Sequence, residues 1–215
     1  MKLLKLFVLM CSVLAAPAFA AGDAQAGKAK SAACAACHGP DGNAPAAMYP
    51  KLAGQGAPYL VKQLQDFKAG RRDNAVMKGM VAGLSEQDMQ DLAAYYASQT
   101  GTTGQADPQW VEQGERLYRG GDPAHNQPAC SGCHGPAGQG VDAARFPRLA
   151  GQHAEYIEAQ LRAFRAAGRN DLGDNVVKRT NDADGDAVGM MQTVAAGLSD
   201  RQIRALASFI SGLSE

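Results

Sequence analysis

"SAACAACHGP" at residues 31–40 and "PACSGCHGP" at residues 128–136 carry one pattern twice: Cys34-x-x-Cys37-His38-Gly39-Pro40 and Cys130-x-x-Cys133-His134-Gly135-Pro136. One Cys-x-x-Cys could be a redox dithiol, half of a zinc site or the attachment point of a prosthetic group. The surroundings of the two copies separate these readings.

The likeness runs far beyond the cysteines. "YPKLAGQ" at 49–55 matches "FPRLAGQ" at 146–152, and "YLVKQLQDFKAGRR" at 59–72 matches "YIEAQLRAFRAAGRN" at 156–170. "MVAGLSEQDMQDLAAYYAS" at 80–98 matches "VAAGLSDRQIRALASFIS" at 194–211. The features keep their order, so the chain reads as two copies of one small domain rather than a solenoid, which needs more repeats. "SQTGTTGQADP" at 98–108 is the expected linker. Asp107-Pro108 reads as the cap and first position of a new helix.

The expected boundaries are 1–20 for an export signal, 21–99 for the first domain, 100–106 for the linker and 107–215 for the second domain. The signal reading rests on Lys2 and Lys5, an apolar run, and Ala18-Phe19-Ala20 as a small-x-small cleavage site. The run is too short and wrongly flanked for a membrane span. Cleavage removes Cys11 and leaves two close cysteine pairs. In an oxidising compartment cysteines usually form disulfides, so pairs each followed by His call for another use.

Charge narrows the partners. Residues 21–105 hold 8 basic and 7 acidic residues, and residues 106–215 hold 11 and 14. The halves differ in sign, but too weakly to suggest nucleic-acid binding.

Both copies read as helical. Leu60, Leu64 and Phe67 recur at i, i+4 and i+7, as do Ile157, Leu161 and Phe164. Ser85 with Asp88, and Ser199 with Gln202, form capping-box patterns. Leu84 with Met89, and Leu198 with Ile203, sit where a hydrophobic staple would place them. No sustained alternation predicts a strand. Three or four short helices per copy make a small core, which a buried apolar cofactor would enlarge.

A thioredoxin-like dithiol needs a strand feeding its helix, and none is predicted. Two Cys-x-x-Cys pairs can make one zinc site, but here each pair belongs to its own repeat. Neither reading explains a His after the second Cys in both copies. Haem does: thiols at i and i+3 on one helical turn reach two vinyl groups, and the next His lies under the iron. Cys-x-x-Cys-His is the signature of covalent haem c. Cys34, Cys37, Cys130 and Cys133 are thus expected to bind two haems, with His38 and His134 as axial ligands. A ligating His usually gives its second ring N–H to an acceptor; the carbonyls of Pro50 and Pro147 are candidates.

The sixth ligand follows from the repeat. His125 and His153 occur only in the second half, whereas each half has two methionines upstream of its capping box. Seven residues before Leu84 stands Met77, and seven before Leu198 stands Met191. Met80 aligns with Val194, and Met190 with Val76. Met77 and Met191 are therefore the expected ligands. Thioether ligation favours Fe(II), raises the potential, and leaves no open coordination position.

With these features the sequence resembles the dihaem cytochrome c4 family over essentially the whole chain. The resemblance implies an all-α protein of two tandem class I cytochrome c domains, pseudo-twofold related and joined by a short linker. It implies two His/Met low-spin haems and a periplasmic one-electron carrier between respiratory-chain donors and a terminal oxidase. Implied partners are a cytochrome bc complex and a haem-copper terminal oxidase, with loose peripheral association with the inner membrane. It also implies close packing of Gly27 on Tyr95 and of Gly114 on Phe209. Competing readings are a dihaem cytochrome c peroxidase, which needs one haem able to lose its distal ligand, and a haem subunit of a periplasmic dehydrogenase. Lys51 and Arg148 are candidates for propionate contacts or for plain surface charge.

The halves differ in two places. The second has a longer approach to Cys130 and a longer run before its Met, "NDLGDNVVKRTNDADGDAVG". Within that run "DADGD" fails as a calcium loop: with Asp182 first, Ala187 stands where Gly is needed and Thr193 where Glu is needed. A solvated acidic loop is expected.

Overall fold

The computed structural model describes residues 22–173, 176–183 and 187–214. The export signal at 1–20 and the Asp184–Asp186 part of the acidic run lie outside the described residues. The described residues form helices and turns, with two isolated antiparallel bridges, Asp122 to Gln127 and Val141 to Phe146.

The first domain holds α1 (Ala24–Lys30), α2 (Ala35–His38), α3 (Ala57–Lys68), α4 (Ala75–Val81) and α5 (Glu86–Ala97). The second repeats the order with α6 (Pro108–Gly120), α7 (Ser131–His134), α8 (Ala154–Arg169), α9 (Met190–Ala196) and α10 (Asp200–Ser211). Helices α4 and α9, which carry the methionines, are short and escape a periodicity reading because seven residues span only two turns.

The expected start signals are in place. Ser85 and Asp88 close a reciprocal capping box on α5, and Ser199 and Gln202 do so on α10. Asp107 caps α6 by accepting from the Gln109 N–H, and Pro108 opens the helix. Each cap answers donors that a helix end otherwise leaves unpaired.

In each domain the first helix packs against the last, α1 on α5 and α6 on α10. Glycine permits the approach. A Cβ on Gly27 would collide with the Asp91 backbone and Tyr95, and one on Gly114 with the Ala205 backbone and Phe209. The first core gathers Leu60, Leu92, Ala93, Tyr95 and Tyr96. The second is larger, including Tyr118, Ile157, Phe164, Leu198, Ile203 and Leu206.

The helix stripe was only partly as expected. Leu60 and Phe67 are buried, but Leu64 is half-buried while Gln63 and Asp66 are more deeply covered. The reason is tertiary: α3 turns a polar edge toward the second domain. Arg72 donates to Gln63 of its own domain and, across the interface, to Tyr156 and Gln160. Arg179 mirrors it, donating to Gln160 and, across the interface, to Tyr59 and Gln63. Each guanidinium also stacks on a phenylalanine of its own domain, Arg72 on Phe67 at 4.6 Å and Arg179 on Phe164 at 4.5 Å. This is the pseudo-twofold in side chains.

The lengthened run of the second copy is therefore not simply solvated. It delivers Arg179, and buried Asn181 donates to Gln63 and Asp66 of the first domain. Asp182 accepts from the backbone N–H groups of Met191 and Gln192, capping α9.

Candidate haem sites

The site begins with a short turn of helix. Cys34 precedes α2 and Cys37-His38 close it; Cys130 precedes α7 and Cys133-His134 close it. One turn puts each pair of sulfurs on one side and brings the His round beneath them. Gly39 and Gly135 end these turns at φ 77° and 81°, a region that residues with a Cβ avoid. A tyrosine hydroxyl ties each loop to a helix: Tyr95 donates to the Pro40 carbonyl at 2.8 Å, and Tyr118 to that of Gly135 at 2.7 Å.

None of the four motif cysteines is paired in a disulfide. Burial pushes Cys34 up and Cys130 up to about 11. A catalytic Cys-x-x-Cys lowers the pKa of its leading thiol, so these environments oppose the dithiol reading. Cys34 and Cys130 instead pack against the two apolar cores, as sulfurs bound to a hydrophobic macrocycle should. Among the described residues no three His, Cys, Asp or Glu side chains gather as a metal-holding group, and each cysteine pair stays in its own domain.

His38 and His134 are both buried. His38 Nδ1 pairs with the Pro50 carbonyl at 2.9 Å, and His134 Nδ1 with the Pro147 carbonyl at 3.0 Å. Since a carbonyl only accepts, Nδ1 carries the proton and Nε2 is left with its lone pair for a metal. Burial lowers both histidines below the usual value, partly opposed by the carbonyls. The imidazoles are thus neutral near pH 7. An aromatic ring flanks each: Tyr49 lies 6.3 Å from His38 and Phe146 6.2 Å from His134, ring centre to ring centre. This donor set fits two covalent haems.

The methionines separate by exposure. Met80 is 43% exposed and Met190 58%, while Met77 and Met191 are half-buried and Met191 packs on the second core. A capping carboxylate or amide also holds the Met backbone in both copies: Met77 N–H donates to Asn74 and Met191 N–H to Asp182. The cap lies three residues upstream in one copy and nine in the other. The remaining histidines are engaged elsewhere: exposed His125 pairs with Asp122, and His153 Nε2 meets the Ala44 carbonyl of the other domain.

A cytochrome c family model matches residues 24–100 and 111–214, once on each copy. A cytochrome c4 from Azotobacter vinelandii is 50% identical over 205 residues, covering 91% of both chains. The chain belongs to the cytochrome c4 family. Membership brings two covalently bound haem c groups and electron transfer rather than enzymatic turnover. The crystal structure of reduced recombinant cytochrome c4 from Pseudomonas stutzeri superposes with a TM-score of 0.78 at 49% identity, covering 90% of this chain and all of that one. A thiosulfate dehydrogenase electron acceptor from Thiomonas intermedia is 41% identical, covering 85% of this chain and 79% of its own.

Within this cytochrome c4 fold the two basic residues after the repeated prolines lie at the domain boundary. Lys51 Nζ donates to the carbonyls of Thr102 and Gly151, so it is not plain surface charge. Its backbone, and that of Arg148, are gripped from the other domain. Gln152 Oε1 accepts from Lys51 N–H at 2.9 Å and Gln152 Nε2 donates to the Lys51 carbonyl at 3.0 Å. Gln55 does the same to Arg148, at 2.8 and 2.9 Å. Both glutamines were visible in the repeated "AGQ", but nothing local shows that a polar residue at that place reaches into the partner repeat.

Proposed function

We propose that the protein is a periplasmic two-haem electron shuttle with His/Met ligation at both irons. In this reading Cys34 and Cys37 hold the first haem and Cys130 and Cys133 the second. His38 and Met77 are the axial ligands of one iron, His134 and Met191 of the other. The observation that carries it is the matched pair of buried histidines, each with Nδ1 committed to a proline carbonyl and Nε2 free to ligate.

When bound, haem c supplies a one-electron Fe(III)/Fe(II) couple. The chain's residues do the rest. The proline carbonyls orient the imidazoles and raise their basicity. Met77 and Met191, held at the starts of capped helices, would complete the ligand sets and keep exchangeable ligands from the irons. The packed cores keep water away, which limits the reorganisation that electron transfer requires.

The domains in this reading are 21–99 and 107–215, joined by 100–106, after export directed by 1–20. Among the described residues no helix is long and apolar enough to cross a membrane. Electrons pass from a cytochrome bc complex to a haem-copper terminal oxidase, with loose association at the inner-membrane face. A second reading has support from the thiosulfate dehydrogenase electron acceptor: the donor would be a periplasmic dehydrogenase.

An optical redox titration with pyridine-haemochrome counting tests the core of this. The expected result is two haems per chain, both low-spin, both with a Met–Fe absorption band. One high-spin haem, or turnover of peroxide, would sink it.

A further inference from the structure

The peptide unit between Pro50 and Lys51 makes two hydrogen bonds to two different domains. Its oxygen accepts from His38 Nδ1 at 2.9 Å, and its N–H donates to Gln152 Oε1 at 2.9 Å. The unit between Pro147 and Arg148 repeats this, accepting from His134 at 3.0 Å and donating to Gln55 at 2.8 Å. Gln55 and Gln152 are buried, 6% and 8% exposed. Each amide also binds the carbonyl of the same basic residue, so it fixes the residue at both ends.

A peptide is a conjugated plane. A hydrogen bond at its N–H deepens the negative charge on its oxygen, as chained hydrogen bonds polarise one another. That oxygen is the acceptor for the histidine. A stronger acceptor makes the imidazole more basic, and a more basic ligand favours Fe(III). We propose that Gln55 and Gln152 are positioning residues that act crosswise: each lowers the potential of the haem in the other domain, through the peptide that holds the other domain's histidine. Docking of the domains thereby sets both potentials. This rests on His38 and His134 being the axial ligands.

The test uses the intact dihaem protein. Reduced, it is diamagnetic, and NMR reads the Nδ1–H and ring protons of each axial His. Titration followed on each haem's own resonances reads its potential. Gln152→Leu should shift the His38 Nδ1–H signal, speed its exchange and raise the first haem's potential, leaving the second nearly unmoved. Gln55→Leu should do the reverse. Gln152→Glu, which keeps an acceptor for Lys51 N–H, should restore the His38 signal toward its parent position. Gln160→Leu is the control, since it removes a neutral interface group bonded to Arg72 and Arg179 without touching either peptide; it should leave both His signals in place. The proposal is overturned if each Gln→Leu moves its own domain's haem, moves neither, or is matched by Gln160→Leu. If the parent protein shows no haem-shifted His38 and His134 ring signals, the ligation reading falls as well.

Discussion

Gln152 of the second domain holds both the N–H and the C=O of Lys51 in the first, at 2.9 and 3.0 Å. A side-chain amide thus pairs with a backbone as a strand would, and Gln55 returns the arrangement on Arg148. The two domains are thus joined by reciprocal side-chain-to-backbone bonds.

The linking arginines should matter to docking and not to haem content. Arg179→Leu removes the bonds from Arg179 to Tyr59, Gln63 and Gln160, of which Gln63 and Gln160 keep their bonds from Arg72. A hydrogen bond to a charged donor contributes about 1.5–3 kcal/mol. The expected outcome is looser domains, seen as a larger radius of gyration in small-angle scattering, with two haems still bound.

The distal ligands separate by single substitutions. Met191→His should sharply lower the second haem's potential, because thioether is replaced by imidazole. Met80→Leu should leave both Met–Fe bands intact, since Met80 is 43% exposed. Loss of a band in Met80→Leu would show that the ligand register is off.

Acid should open the first domain before the second. Asp91 accepts from Lys30, the Asp23 N–H and Gln87, which hold its carboxyl down at about 2. A depressed carboxylate stabilises the fold above its unfolded value of about 4. That contribution is lost as pH falls from there through about 2. The matching residue in the second domain is Ala205, buried and apolar. Optical titration of the holoprotein should show the first haem's environment changing at higher pH, and Asp91→Asn should remove the difference.

Gly114→Val should unfold the second domain selectively. Overpacking commonly costs about 1–3 kcal/mol, and here the collision is with the Ala205 backbone, which cannot rotate away. Thermal unfolding should give a lower first transition than in the parent, and loss of the second haem's Met band should accompany it.

The haem motif, the proline acceptors and both capping boxes were legible because each depends on short spacing or on comparing the two repeats. The close approach of Gly27 to α5 and Gly114 to α10 also followed, through the family resemblance. The polar edge of α3 was not legible. Gln63 and Asp66 lie outside the apolar stripe of Leu60, Leu64 and Phe67, and they meet partners from a second domain that local periodicity cannot see. Beside the acidic run, Asn181 reaches Gln63 and Asp66 of the first domain for the same reason, while Asp182 is engaged within its own domain at the start of α9.

The sequence by itself determined that the chain holds two haem c groups, because Cys-x-x-Cys-His is a signature of a few adjacent positions and the repeat states it twice. Tertiary structure decided what joins the sites. Gln55 and Gln152, and Arg72 and Arg179, acquire their roles only when the domains meet, since a hydrogen bond between residues some hundred positions apart leaves no periodic trace in the chain.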